Sequence, residues 1–229
     1  PSKIVWRNYT YVMDKMQYGK MFLNNVIITV IGIVGIIIFS SMSAYIISRK
    51  KNKYTRFAQF MITTPMLIPF QTIMITLLKV MNVVNLSGSK VGLGIQYWGF
   101  GIPMAAFIYG NFMSTIPKEL DESAFIDGAG TFRTYRSIIF PLLKSVTFTV
   151  IVIDVMWIWN DFLLPLLMVN SSNETKTLVL SAYTFVGQFN TQWHYAMAAM
   201  VLAVLPSIII FIFLQKYIVE GVVAGAVKG

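Results

Sequence analysis

The chain has 229 residues, of which 56% are hydrophobic and 12% charged, and its mean hydropathy is +0.69. That balance lies outside the range of soluble domains and excludes a single water-facing core. Cysteine is absent, which excludes a disulfide framework and a thiolate metal centre. The 18 Lys and Arg against 9 Asp and Glu have to be read by position before they are read as an attraction to nucleic acid.

The chain opens on Pro1, with no basic head and small-residue cleavage site of the signal-peptide kind. Its first residues mix Lys3, Arg7, Lys15 and Lys20 with Trp6, Tyr9, Tyr11, Tyr18 and Phe22, a pattern suited to a segment lying along a membrane surface. A membrane helix needs roughly 20 mostly apolar residues to cross about 30 Å of hydrocarbon. Five stretches meet that need, at about 25–47, 57–78, 93–113, 145–164 and 195–214. The first carries no charge, and the second contains Pro65 and Pro69, which predict a kink whose freed carbonyls are met by neighbouring helices or water.

Arg49, Lys50, Lys51, Lys53 and Arg56 follow the first span, so that loop is expected on the cytoplasmic side. Alternation then places residues 114–141 and the C-terminal tail on the same side. The positive total is explained by topology, and nucleic-acid binding is not expected. An outward N-terminal segment implies a further span upstream of Pro1, six in all.

Residues 114–141 interrupt the apolar chain with Glu119, Asp121, Glu122 and Asp127, Gly128 and Gly130, and Arg133 and Arg136. Pro117 suits the first turn of a helix, and the acids after it suit the positive end of the helix dipole. The helix is expected to end near Asp127, where Gly128 can adopt the left-handed conformation. Thr131 is expected to cap a second helix, on which Phe132, Tyr135 and Ile139 share a face. Pro141 marks the bend into the fourth span. The stretch thus reads as an amphipathic helix-turn-helix hook, open at this point to two meanings: a solvated loop, or an element made for a partner.

On the fourth span Asp154 lies ten residues past Lys144, about 15 Å at 1.5 Å per residue and so near the bilayer centre. A carboxylate at that depth points to function. Trp157 and Asp161 follow at i+3 and i+7, with Asn160 beside them, and aromatic faces with carboxylates and amides suit a sugar. The competing reading puts Trp157 and Trp159 in the outer aromatic belt and Asp154 against a polar neighbour. Gln71 in the kinked second span is a further pathway candidate. His194 is the single histidine, so no metal cluster is expected. The stretch from Ser87 to Gly94 lacks the spacing of a phosphate loop and reads as a turn. The polar stretch from Asn170 to Thr177 is an outer loop, either solvated or touching an external protein.

The order of residues in the hook resembles the cytoplasmic EAA loop of binding-protein-dependent ABC importer permeases. The pattern is met by Glu122, Ser123, Ala124, Asp127, Gly128, Ala129, Tyr135, Ile138 and Pro141. Ser123 stands where Ala is usual and Ser145 where a second Pro often occurs. "SAYIISR" at the end of the first span, "WNDFLLPL" from Trp159, and the closing "QKYIVEGVVAGAVKG" are similar to stretches of the MalG-type carbohydrate branch.

The resemblance implies an all-α polytopic transmembrane bundle, a single permease domain over 1–229 in the bacterial cytoplasmic membrane. It implies a non-catalytic subunit that binds no cofactor itself, with ATP and Mg in two partner ATPase subunits. A second, similar permease subunit and an external sugar-binding protein complete the expected set, with a di- or oligosaccharide as cargo. Glu122, Ser123, Ala124, Asp127, Gly128, Ala129, Tyr135 and Pro141 would then couple to the ATPase. A secondary transporter is the alternative, but it calls for ionisable groups in several spans, and the chain carries one mid-span carboxylate.

Overall fold

A computed structural model describes residues 5–186 and 192–226, with side chains as far as residue 215 in the second stretch. The expectations for Lys3 and for the side chains of the closing stretch lie outside the described residues.

The described residues are helical almost throughout. In chain order they form α1 (Arg7–Lys15), α2 (Tyr18–Arg49), α3 (Lys53–Thr63), a 3-10 turn (Thr64–Leu67), α4 (Phe70–Val83) and α5 (Lys90–Met113). The hook follows as α6 (Glu119–Ile126), α7 (Thr131–Thr134), a π-turn (Tyr135–Ile139) and α8 (Phe140–Leu142). Then come α9 (Lys144–Asn160), α10 (Leu163–Met168), α11 (Leu178–Tyr183) and α12 (Trp193–Ala226). Three of these helices, Tyr18–Arg49, Lys90–Met113 and Trp193–Gln215, are each long and apolar enough to cross a membrane, and the number rises to five if each of two bent pairs is one span.

The expected spans lie within these helices with three differences. The first is longer: Tyr18 and Phe22 belong to α2, and α1 does not simply lie on a surface, because Val12 and Met16 enter a buried core. The second is not a kinked helix but two helices. Pro65 sits in the 3-10 turn and Ile68 before Pro69 is extended, as the residue preceding a proline prefers. The fourth stops at Asn160, short of the expected Leu164, and α9 is 17 residues long.

Two compact units arise from this chain. The first comprises Pro1–Gly32, Phe70–Gln96 and Val155–Ile212. Its core gathers Val12, Met16, Met21, Trp159, Leu178 and Ala182 around Ala198, Ala199 and Ala203. The alanines of α12 leave room for the buried indole of Trp159, whose Nε1 donates to the Ala203 carbonyl at 3.2 Å. Asn25 in α2 donates to the Trp159 carbonyl (3.2 Å) and accepts from the Leu178 N–H (2.9 Å). Asn24 donates to the carbonyls of Glu174 and Lys176, both at 3.0 Å, and Lys20 pairs with Glu174. These bonds fix the segment before α11, the polar stretch read as an outer loop.

The second unit comprises Ile33–Pro69, Tyr97–Asp154 and Phe213–Gly229. Here α2 and α5 pack closely because glycines face bulky partners: a Cβ on Gly35 would stand 2.0 Å from the Trp98 ring, and one on Gly101 2.3 Å from the Ile36 side chain. Tyr109 is fully buried and donates to Thr147 at 3.0 Å, tying α5 to α9.

Gly35→Leu should lower the thermal unfolding temperature of the detergent-purified protein, with a cost of about 1–3 kcal/mol for overpacking. Gly99→Ala, where nothing lies within 4 Å of the added Cβ, should be neutral or stabilising by up to about 1 kcal/mol. Equal melting shifts in the two variants would contradict the close packing at Gly35.

Candidate functional site

The site is built on one row of α2. Ser41, Tyr45 and Arg49 recur every fourth residue and so share a face of the helix, and each reaches the hook. Ser41 Oγ and the Tyr135 hydroxyl are 2.7 Å apart. Tyr45 donates to Asp121 Oδ1 at 2.5 Å. Arg49 brings Nε to 2.9 Å from Asp121 Oδ2 and donates from Nη1 to the Ile116 carbonyl at 3.1 Å. Asp121 is only 6% exposed, and its carboxylate is tolerated there because a guanidinium lies beside one oxygen and a phenol donates to the other. The rings of Tyr45 and Tyr135 lie 5.5 Å apart.

Sequence reasoning placed Tyr45 and Arg49 in a motif but did not see their partner. The signal was available as the four-residue recurrence of Ser41, Tyr45 and Arg49 along α2.

The hook itself forms much as its residues dictate. Glu119, Asp121 and Glu122 occupy the first turn of α6. After Asp127, Gly128 has φ +78°. Its N–H donates to the Phe125 carbonyl at 3.0 Å, and the Ala129 N–H donates to the Ala124 carbonyl at 2.9 Å, a Schellman closure. Ala124 is buried beside Asp121, whereas Glu122, Ser123, Asp127 and Gly128 are exposed. Ile126, which the sequence did not single out, is 87% exposed.

Three local expectations are corrected. Pro117 precedes α6, whose N-cap is Lys118. Thr131 is the first residue of α7, not its cap: Gly130 holds that position and no side chain caps it. Phe132 does not share a face with Tyr135 and Ile139, being 61% exposed while they are buried. Thr134 is buried as well, and a π-turn follows over Tyr135–Ile139. Pro141 lies just beyond, where its ring and missing N–H disfavour an ordinary turn. The bend into α9 falls at the buried Leu143 and measures 76°.

The pathway candidates differ in their surroundings. Asp154 is 5% exposed, and its Oδ1 lies 3.5 Å from where a Gly101 Cβ would be, so the missing side chain makes its room. Trp157 is 40% exposed. Asn160 donates to the Met156 carbonyl at 2.8 Å and accepts from Ser207 at 3.1 Å, a structural commitment. Asp161 is not at i+7 of a continuous helix, because α9 ends at Asn160; its Oδ1 accepts from the Leu163 N–H at 3.1 Å and starts the next turn. Gln71 is exposed near the start of α4. His194 is exposed, with its ring 4.1 Å from that of Tyr195, and no group of metal-holding side chains occurs among the described residues.

Residues 36–223 match the profile of the binding-protein-dependent transport system inner membrane component. The chain is 40% identical over 228 residues to the probable starch degradation products transport system permease protein AmyC of Thermoanaerobacterium thermosulfurigenes, covering all of this chain and 82% of that one. It is 34% identical to the multiple sugar-binding transport system permease protein MsmG of Streptococcus mutans and 33% identical to the melibiose/raffinose/stachyose import permease protein MelC of Bacillus subtilis, covering all of this chain and 83% of each. The fold matches a chain of a bacterial ABC transporter involved in the import of the acidic polysaccharide alginate, with a TM-score of 0.81 and 21% identity over 95% of this chain and 81% of that one.

Asp121→Ala strands the Arg49 guanidinium and should destabilise the protein by about 3–5 kcal/mol, read as a fall in its melting temperature. The double change Arg49→Met with Asp121→Leu should recover most of that loss. An unaltered melt for Asp121→Ala would mean that the carboxylate is not held as described.

Proposed function

The chain belongs to the binding-protein-dependent transport system inner membrane components, and from that membership we propose that it forms one half of the translocation path of an ATP-driven sugar importer. Membership makes it a non-catalytic permease subunit of the bacterial cytoplasmic membrane and sets aside the secondary-transporter alternative. The names of the relatives, which specify starch degradation products and melibiose, raffinose and stachyose, support a di- or oligosaccharide as cargo. The partners in this proposal are a second, similar permease subunit, two cytoplasmic ATPase subunits carrying ATP and Mg, and an external sugar-binding protein. The whole of residues 1–229 serves as one permease domain, its two compact units notwithstanding.

The observation that carries the proposal is the build of the hook. Its inner side is bound to α2 through Asp121 and Tyr135, and its outer side presents Glu122, Ser123, Asp127 and the apolar Ile126 to solvent. A surface of that kind fits a groove in a soluble partner, with apolar burial supplying affinity and charges supplying register. Motion of an ATPase subunit would pass through Glu122 to Ala129 into α2, and through Tyr135 to Pro141 into α9, as a rigid displacement rather than a local flexing. Ala124 serves this by its small size against the buried side, and Gly128 by closing the turn.

Of the pathway candidates, Asp154 has the strongest claim, being a buried carboxylate ten residues into α9 with a glycine opposite it. Trp157, exposed three residues on, would offer a face for sugar stacking. Asn160, Asp161 and Gln71 stand behind them, the first two with hydrogen bonds to their own surroundings.

Gly128→Val places a β-branched side chain at φ +78° and should leave membrane insertion intact while abolishing sugar uptake and substrate-stimulated ATP hydrolysis by the purified complex. Persistence of both activities would refute the coupling role. Asp154→Leu should impair uptake with ATPase binding retained; transport at the wild-type rate and with unchanged substrate range would remove Asp154 from the path.

A further inference from the structure

The C-terminal end of α2, α3, the C-terminal half of α5 and the start of the hook enclose a cavity of about 770 Å³, a size suited to a small-molecule ligand. Its lining divides by chemistry. Ile47, Ile62 and Phe107 give an apolar wall, and Lys51, Arg56 and Lys118 bring three cations against the single acid Glu119. Arg49 also lines the cavity, but its charge is already met by Asp121. Lys51, Arg56 and Lys118 form no ion pair among the described residues. On α3 the aromatic rings of Tyr54, Phe57 and Phe60 are exposed, as expected of a helix at the level where hydrocarbon meets headgroups.

Three cations against one acid, beside an apolar wall, call for a ligand that is anionic at one end and hydrocarbon at the other. A neutral sugar supplies no charge, and a free phosphate supplies nothing for Phe107 and the isoleucines. We propose that the cavity holds the headgroup of an anionic phospholipid. Its phosphate sits among Lys51, Arg56 and Lys118, and the upper part of its acyl chains lies against Ile47, Ile62 and Phe107. The basic loop at the end of a spanning helix is where such a lipid is supplied from the bilayer.

Binding of fluorescent phosphatidylglycerol to the full-length protein, purified in detergent with its accompanying subunits, tests this without reference to transport. Lys51→Gln, Arg56→Gln and Lys118→Gln together should weaken binding at least about tenfold. An equal loss of charge elsewhere, by Lys15→Gln, Lys79→Gln and Lys144→Gln, should change it less than about twofold. The conservative pair Lys51→Arg and Lys118→Arg should retain binding and the wild-type melting temperature. Phosphatidylcholine and millimolar inorganic phosphate should not displace the probe. Equal losses in the two charge-removal variants, loss in the conservative pair, or displacement by inorganic phosphate would each overturn the proposal, the last by showing a site for free anions.

Discussion

A carboxylate withdrawn from water, Asp121, is the contact on which the position of the hook depends. Alone in an apolar setting it would be intolerable. With Arg49 Nε at 2.9 Å and the Tyr45 hydroxyl at 2.5 Å, it becomes a locating pin. Such a pair adds little net stability over a well-packed apolar contact, yet losing one partner is expensive, so its value lies in specifying one arrangement. Ser41, Tyr45 and Arg49 read the hook at three points along α2. A slip of one residue would turn all three side chains about 100° away from their partners.

The first unit uses the same device on irregular backbone. Between α10 and α11 the chain leaves helical hydrogen bonding, and carbonyls without partners are costly wherever water is scarce. Adjacent Asn24 and Asn25 point about 100° apart on α2 and therefore serve two different neighbours. Asn24 meets the carbonyls of Glu174 and Lys176, while Asn25 meets the Trp159 carbonyl and the Leu178 N–H. Lys90 completes the set by donating to Asn24 Oδ1 at 3.1 Å. Polar side chains inside an apolar helix thus go where the rest of the chain stops being helical.

Features set by local chemistry were legible in the sequence. Apolar length gave the long helices α2, α5 and α12, Pro65 and Pro69 gave the interruption, and the glycine after Asp127 gave the turn. Features set by tertiary contact were not. Nothing near Asp121 says that it is buried while Glu122 is not, because that depends on which side α2 occupies. The π-turn before Pro141 was invisible to a period-3.6 reading. Asp161 was misplaced because α9 ends one residue earlier, at Asn160, where Ser207 and the Met156 carbonyl take up its amide.

The hook's turn is closed by backbone bonds from Gly128 and Ala129, and its buried side is held to α2 through Asp121 and Tyr135. Its conformation therefore draws nothing from Glu122, Asp127 or Ile126. Those side chains are held in place yet left unspent, the condition under which association loses least to ordering. An isoleucine 87% exposed, next in the chain to the exposed ring of Phe125, is poorly matched to water and well matched to a protein surface. The internal bonds fix the shape of the hook and leave its outer side chains to solvent.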